Sequence, residues 1–370
     1  MSQINWKIGC EIELLAPKGL SRKDLAEFIA ELNNGSVRRI FYPQSEPSKV
    51  PGKPLFHNLT LGFEALDEKG NLIAKCVDDL TLQDDLNKSH PSKAGWYRIV
   101  SDDTRFLQLI IAQANPQQSK AEVLKPIADL FGTVIEQGAG AMVRVADNTG
   151  LPIAIAASLP GERERPCELI TPPITTNHLE QLEVILHAAR LLNFNIPIEG
   201  ATHIHFDALP LCSANVFANL VNLFNARGEN LKRLVATNPY CRRLGSWDLD
   251  LLKLVNESGF RKLSWEEAVS KIAKLELSKY CDFNLKNLIH PIPNKFTFEA
   301  RIFPAWLYAR PIVEAAALFE AILNYSINTS YISPHPPIKW ELTSVKEFIK
   351  LLPISEHFRQ IWLSRAANIG

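Results

Sequence analysis

The chain has 370 residues, 46% of them hydrophobic and 22% charged, which is ordinary globular composition with length enough for one large core or two smaller ones. Lysine plus arginine equals aspartate plus glutamate at 40 each, so no overall field draws the chain to nucleic acid or to an anionic membrane. The start, MSQINWKIGCEIELL, lacks a basic segment followed by an apolar core, and no stretch approaches the roughly 20 apolar residues of a membrane span, so a cytoplasmic protein is expected.

In chain order, an opening strand over about residues 5–15 is followed by Ser21, a plausible N-cap, and the amphipathic SRKDLAEFIAEL. YPQSEPSKVPGKP reads as a polar, proline-bearing loop. Residues 55–103 are strand-rich: LFHNLTLGFEAL, a turn at DEKGN, LIAKCVDDLTL and GWYRIVSDD alternate apolar and polar positions and predict antiparallel hairpins. SKAEVLKPIADLFG reads as a helix interrupted or bent by Pro126, and AMVRVADNTGLPIAIAASL as a hairpin turning on Asp147 to Gly150. CELITPPI is a short strand running into a double proline. NHLEQLEVILHAARLL is a strongly periodic helix, THIHFDAL a strand, and SANVFANLVNLFNARGENLKRLV a long helix. A helix over 265–275 and the strand KFTFEARIF follow. From about 310 the chain is helical, with a proline-rich break at SPHPPIK before two short helices. No linker stands out, so a single elaborated domain over 1–370 is favoured. It carries an inserted helix and hairpin at about 104–166 and a helical C-terminal extension.

The chemistry lies in strand alternation. In KIGCEIEL, Gly9, Glu11 and Glu13 share one face and Ile8, Cys10, Ile12 and Leu14 the other. Two carboxylates at i and i+2 lie about 6.6 Å apart and repel by about 2.5 kcal/mol at an effective dielectric near 20, unless water or a cation intervenes. THIHFDAL lines up His203, His205 and Asp207, and KFTFEARIF lines up Thr297, Glu299 and Arg301 against an apolar backing of Phe296, Phe298, Ala300 and Ile302. Each strand alone also reads blandly, as a solvated face, a satisfied core histidine or a surface ion pair. If they converge, Glu168 of CELITPPI included, oxygen and imidazole ligands gather around divalent cations and arginine meets anionic oxygens.

The ordered set KIGCEIEL, WYRIVSDDT, CELITPPI, THIHFDAL, PYCRRL and KFTFEARIF, spanning roughly positions 7–303, resembles the amidoligases of the carboxylate-amine ligase superfamily, relatives of glutamine synthetase and gamma-glutamylcysteine ligase. The resemblance implies an α+β fold with an antiparallel, partly open barrel-like sheet flanked by helices, holding ATP and divalent metal, Mg2+ or Mn2+, on its concave face. It implies Glu11, Glu13, Glu168, His203 and Glu299 as metal ligands, and His205 near the nucleotide's phosphates. Glu13 and Arg301 also fall to the cofactor, Arg301 facing phosphate, with Arg242 or Arg243 as a second catalytic arginine. The insertion departs from the family's spacing and leaves Asp102 or Asp103 as the substrate-side acid. Alternation sets Asp102 with Arg98, which favours Asp102 if GWYRIVSDD stays extended.

The implied activity is ATP-dependent joining of a carboxylate, of amino-acid or peptide type, to an amine through an acyl phosphate. Both reactants are anionic at the start, so metals and arginines must neutralise them. Histidine ligands suit Mn2+, Fe2+ or Zn2+ better than Mg2+, so magnesium rests on the resemblance. GAGAMV at 138 lacks a third glycine and follows a helix, and no Walker A pattern is present. Six cysteines (Cys10, Cys76, Cys167, Cys212, Cys241, Cys281) without a CxxC pair read as reduced, mostly buried thiols, Cys167 among them. Two alternatives use the same residues: a non-haem iron oxygenase built on His205, Asp207, His290 and Arg301, which leaves the glutamates idle, and a non-catalytic binding protein on the same sheet.

Overall fold

The computed structural model describes residues 4–47, 55–292 and 295–369. Its first half runs β1 (Ile8–Leu15), α1 (Arg22–Leu32), β2 (Ser36–Pro47), β3 (Leu55–Leu66), β4 (Leu72–Val77), β5 (Tyr97–Ser101), α2 (Thr104–Gln113), α3 (Lys120–Phe131), β6 (Ile135–Gln137), β7 (Val143–Ala146), β8 (Pro152–Ser158) and β9 (Pro166–Ile170). The second half runs α4 (His178–Leu191), β10 (Ala201–Asp207), α5 (Ala214–Leu234), α6 (Leu249–Val255), α7 (Trp265–Ile272), β11 (Phe283–Asn284), α8 (Lys286–Ile289), β12 (Thr297–Pro304), α9 (Ala309–Asn328), α10 (Leu342–Leu351) and α11 (Glu356–Ala367). The chain divides into two compact units, one of residues 1–12, 171–187 and 199–370, the other of residues 13–170 and 188–198. The strand pairings within each are antiparallel and the sheets are open, so the α+β expectation holds. Among the described residues no helix is long and apolar enough to cross a membrane.

In the first unit the strand order is β11-β12-β10-β1. Alternation sorts the strands cleanly: Ile8, Cys10, Ile12, Ile204, Phe206, Phe298, Ala300 and Ile302 are buried on one face. Phe206, Phe283 and Phe298 of that face meet Phe224 of α5 and Phe319 of α9 at ring-centroid distances of 4.3 to 6.3 Å, an aromatic core that fixes the sheet's back. The register of β1 sets Glu11 opposite His203 and Gly9 opposite His205, and that of β12 sets Glu299 opposite His205. Between Thr202 and Ile204 the β10–β12 register shifts, so that His203 faces the two residues Arg301 and Ile302. Such a bulge bends the strand and re-aims its side chains, and here it falls at the arginine.

In the second unit the order is β9-β4-β3-β5-β8-β7-β6, with β2 also paired to β3. Leu59, Ile99, Val145 and Ala156 pack against Leu107, Ile110, Val123 and Ile127 from α2 and α3. Several expectations change here. The loop expected from Tyr42 is strand as far as Pro47, because β2 pairs with β3 alone and an edge strand tolerates prolines that cannot donate; residues 48–54 lie outside those described. The strand expected through Leu82 stops at Val77, where Asp78 turns inward to buried Arg22 and Arg163. Helix α3 runs through Pro126, whose missing donor frees only the carbonyl of exposed Glu122, between a Ser119–Glu122 capping box and a left-handed Gly132. Helices α2 and α6 are additional to those expected.

Candidate metal and oxyanion site

On the face of the first unit opposite the aromatic core, four side chains from three strands meet. Glu11 Oε2 lies 3.4 Å from His203 Nδ1, and Glu11 Oε1 lies 3.2 Å from His205 Nε2. Glu299 Oε1 lies 3.6 Å from His203 Nδ1 and 3.9 Å from His205 Nε2. Arg301 Nη1 donates to Glu299 Oε1 at 2.7 Å and lies 3.5 Å from His203 Nδ1, Asn284 donates its amide to Glu299 Oε2 at 2.7 Å, and Lys295 donates to Glu11 Oε1 at 2.8 Å. A solvated face is the bland reading of these strands. Instead Glu299 is only 3% exposed, and both histidines are buried.

Burial should drive such carboxylates toward the neutral acid, yet their neighbours win. For Glu299, burial and Glu11 push upward, but His205, Arg301 and His203 hold its carboxyl down at about 2. Glu11 is opposed by burial in the same way, and Lys295 with the two imidazoles keeps it well below the usual carboxylate range. Burial and the adjacent Arg301 outweigh both carboxylates at His203, lowering its pKa and favouring the neutral imidazole that a metal ion requires. Burial and Glu11 push the Cys10 thiol up to about 12, and burial raises Cys167 far above its ordinary value, so both are inert core thiols as expected.

The residues fit a divalent cation. Ligand atoms of Glu11, His205 and Glu299 lie within 4.8 Å of one another. His205 Nε2 is buried without a hydrogen-bond partner while it points at the Glu11 and Glu299 oxygens, and His205 Nδ1 lies 3.0 Å from Thr297 Oγ1, which fixes the ring as an outer partner of a ligating histidine does. One nitrogen and several carboxylate oxygens form a hard-to-borderline donor set suited to Mn2+ and tolerable to Mg2+.

The other expected residues are placed as follows. Glu13 and Glu168 belong to the second unit; Glu13 is buried, and Glu168 is half-buried on β9 opposite Val77. Asp102 is exposed, and β5 ends at Ser101, so alternation does not reach it; Asp103 instead caps α2 and binds Arg105. Arg242 pairs with Glu199 at 3.2 Å, whereas Arg243 lies over the Tyr280 ring at 4.8 Å. Asp207 pairs with Lys7 at 3.1 Å and His290 is exposed at the end of α8; among the described residues no cluster of metal-ligating side chains includes either, so the oxygenase triad is not assembled. Lys295 and Asn284 were missed. For Lys295 the signal was present, since it precedes Thr297 by two in KFTFEARIF and shares the phase of Glu299 and Arg301.

This open antiparallel sheet gathers two carboxylates, two imidazoles and a guanidinium on one face. The model of the family described as "Putative amidoligase enzyme" matches residues 4–323, and the chain belongs to that family, whose description marks it as one of ligase-type enzymes. No curated protein matches the chain.

Proposed function

We propose that this protein is an ATP-dependent ligase that joins an amino-acid or peptide-type carboxylate to an amine through an acyl phosphate. The observation that carries the reading is the convergence of Glu11, His203, His205, Glu299 and Arg301 on one sheet face of a chain with amidoligase family membership. A carboxylate resists attack by an amine until it is activated, and activation by a triphosphate sets two anions against each other. A bound divalent cation supplies charge neutralisation for the phosphoryl group as it transfers. Glu11, Glu299 and the histidines hold that cation in this reading, with Glu13 and Glu168 kept as further ligands on the family likeness. Arg301 fixes the phosphate oxygens, and Asn284 fixes the Glu299 carboxylate. Arg242 or Arg243 is retained as the second catalytic arginine, on phosphate or on the substrate carboxylate; Arg242 already pairs with Glu199.

The test is a mixture of amino acids, short peptides and amines supplied with ATP and Mg2+ or Mn2+, read by phosphate release and by mass detection of a condensed product. A product one water lighter than the summed reactants, dependent on ATP and metal, is expected. Glu11→Gln and Glu299→Gln should abolish it. Full turnover in both variants would remove these residues from the site, and ATP-independent condensation would remove the ligase mechanism.

A further inference from the structure

The second unit carries two adjacent arginines on edge strand β2 whose surroundings differ. Arg38 faces one side of the strand and is matched: its Nε and Nη2 lie 2.7 and 2.6 Å from Glu64 Oε2. Arg39 faces the other side, in phase with Val37 and with Phe41, which packs in the apolar core with Leu59, Leu61 and Tyr97. A cation thus stands where alternation calls for an apolar residue. Arg39 Nη2 donates to the carbonyl of Gly95 at 3.0 Å, and its guanidinium lies 5.9 Å from the Tyr97 ring centroid. Among the described residues it makes no ion pair, and its Nε is buried without a partner. Tyr97 supplies no countercharge, because burial pushes its phenol up to about 12 against the pull of Arg39. Burial in turn lowers the pKa of Arg39.

This guanidinium opens onto a cleft of about 390 Å³, with Val37, Leu61, Phe63 and Trp96 as its apolar lining and Lys23 and Glu27 of α1 on its polar side. Lys23 Nζ lies 3.2 Å from Glu27 Oε1, so those two charges cancel and Arg39 sets the sign of the cleft. The aromatic wall is held firmly. The Trp96 ring lies 5.6 Å from that of Phe63, the Arg22 guanidinium lies 4.5 Å from its centroid, and its backbone donates to Lys93 O and accepts from Leu159 N, both at 3.2 Å. A charge withdrawn from water is costly unless it is paired, and a guanidinium with five N–H donors has only one of them engaged here by the protein. Apolar walls around one unmatched cation describe a receptor for an anion with an apolar body.

We propose that this cleft binds a small aromatic carboxylate, its carboxylate on Arg39 and its ring against Val37 and Trp96. The site stands apart from the ligase reading, since none of Glu11, His203, His205 and Glu299 lines it. Calorimetric titration of the full chain with phenylacetate tests it, against phenylacetamide, which lacks the charge, and acetate, which lacks the ring. Phenylacetate should bind about tenfold or more tightly than either. Arg39→Gln should weaken phenylacetate by about tenfold or more, the loss of a hydrogen bond between charged groups, and Arg39→Lys, which keeps the charge, should recover part of that affinity. Arg38→Gln, on the opposite face of the same strand, should bind as wild type does. Amide exchange on the wild-type chain gives a reading that depends on no variant: saturating phenylacetate should slow exchange in β2 and in residues 94–97 more than in α9. Each of the following overturns the proposal: no binding of phenylacetate at millimolar concentration, equal binding of phenylacetamide or acetate, undiminished affinity in a folded Arg39→Gln, an equal loss in Arg38→Gln, or protection that leaves β2 and residues 94–97 unchanged.

Discussion

Glu299 accepts from Arg301 on one oxygen and from Asn284 on the other while almost wholly buried, so its charge is a folding determinant as well as a ligand candidate. A folded-state value of about 2 against an ordinary 4.5 means that the folded protein binds fewer protons than the unfolded one between those limits. The associated stability is therefore fully present above about pH 4.5 and is lost as pH falls toward 2; it amounts to about 3 kcal/mol at most. In Glu299→Gln this acid-labile part should vanish and Arg301 should lose its buried partner. The variant should then be less stable than wild type at neutral pH, and its urea midpoint should change less between pH 4.5 and 2.5. Parallel midpoint curves for the two proteins would show that the carboxylate is not held ionised by its neighbours. Alternation in the sequence made Glu11, His203, His205, Glu299 and Arg301 legible as a set, because strand phase is a local property. Asn284 was not, because it comes from a two-residue edge strand that has no period to read.

At the scale of elements, periodic helices and alternating strands were read correctly wherever the pattern was local: α4, α5 and α9, β1, β10 and β12, and the β7–β8 hairpin. Errors fell where tertiary contacts decide. The clearest is the end of β4, where Asp78 is buried among groups far along the chain: Arg163 donates to its carboxylate, Arg22 lies 3.8 Å from it, and Arg22 also donates to the carbonyls of Leu61, Arg163 and Pro166. The partner segment makes its own turn at Gly161 and Glu162, both with positive φ, so that Arg163 points inward. Two buried guanidiniums share that one carboxylate. Asp78→Asn should destabilise the protein by about 3–5 kcal/mol, because it leaves charges uncompensated in a low-dielectric interior. Chemical unfolding should register this without any change in donor set at Glu11 and Glu299. A midpoint within error of wild type would mean that the arginines do not depend on Asp78.

For the molecule as a whole, the order of short motifs along nearly 300 residues disclosed the family when no single motif could, and the family match now spans both compact units. What remained illegible was how strand faces meet, since register is fixed by pairings such as Glu11 with His203 and His205 with Glu299 that no local pattern encodes. This difference locates a last prediction. A cation that binds the folded state alone stabilises it by mass action, about 2.7 kcal/mol at a hundred times its dissociation constant. Because its candidate ligands Glu11, His205 and Glu299 lie on β1, β10 and β12, Mn2+ should slow amide exchange most in those strands and less in the helices α2 and α3, which carry none of these ligands. In Glu11→Gln the same protection should fall sharply, because one carboxylate of the donor set is replaced by a neutral amide and Lys295 loses its ionic partner. Exchange mass spectrometry at matched temperature and pH reads both effects without requiring a substrate. Equal protection in wild type and Glu11→Gln, or protection centred on α2 and α3, would move the cation away from the sheet face and remove the physical basis for ligand assignment there.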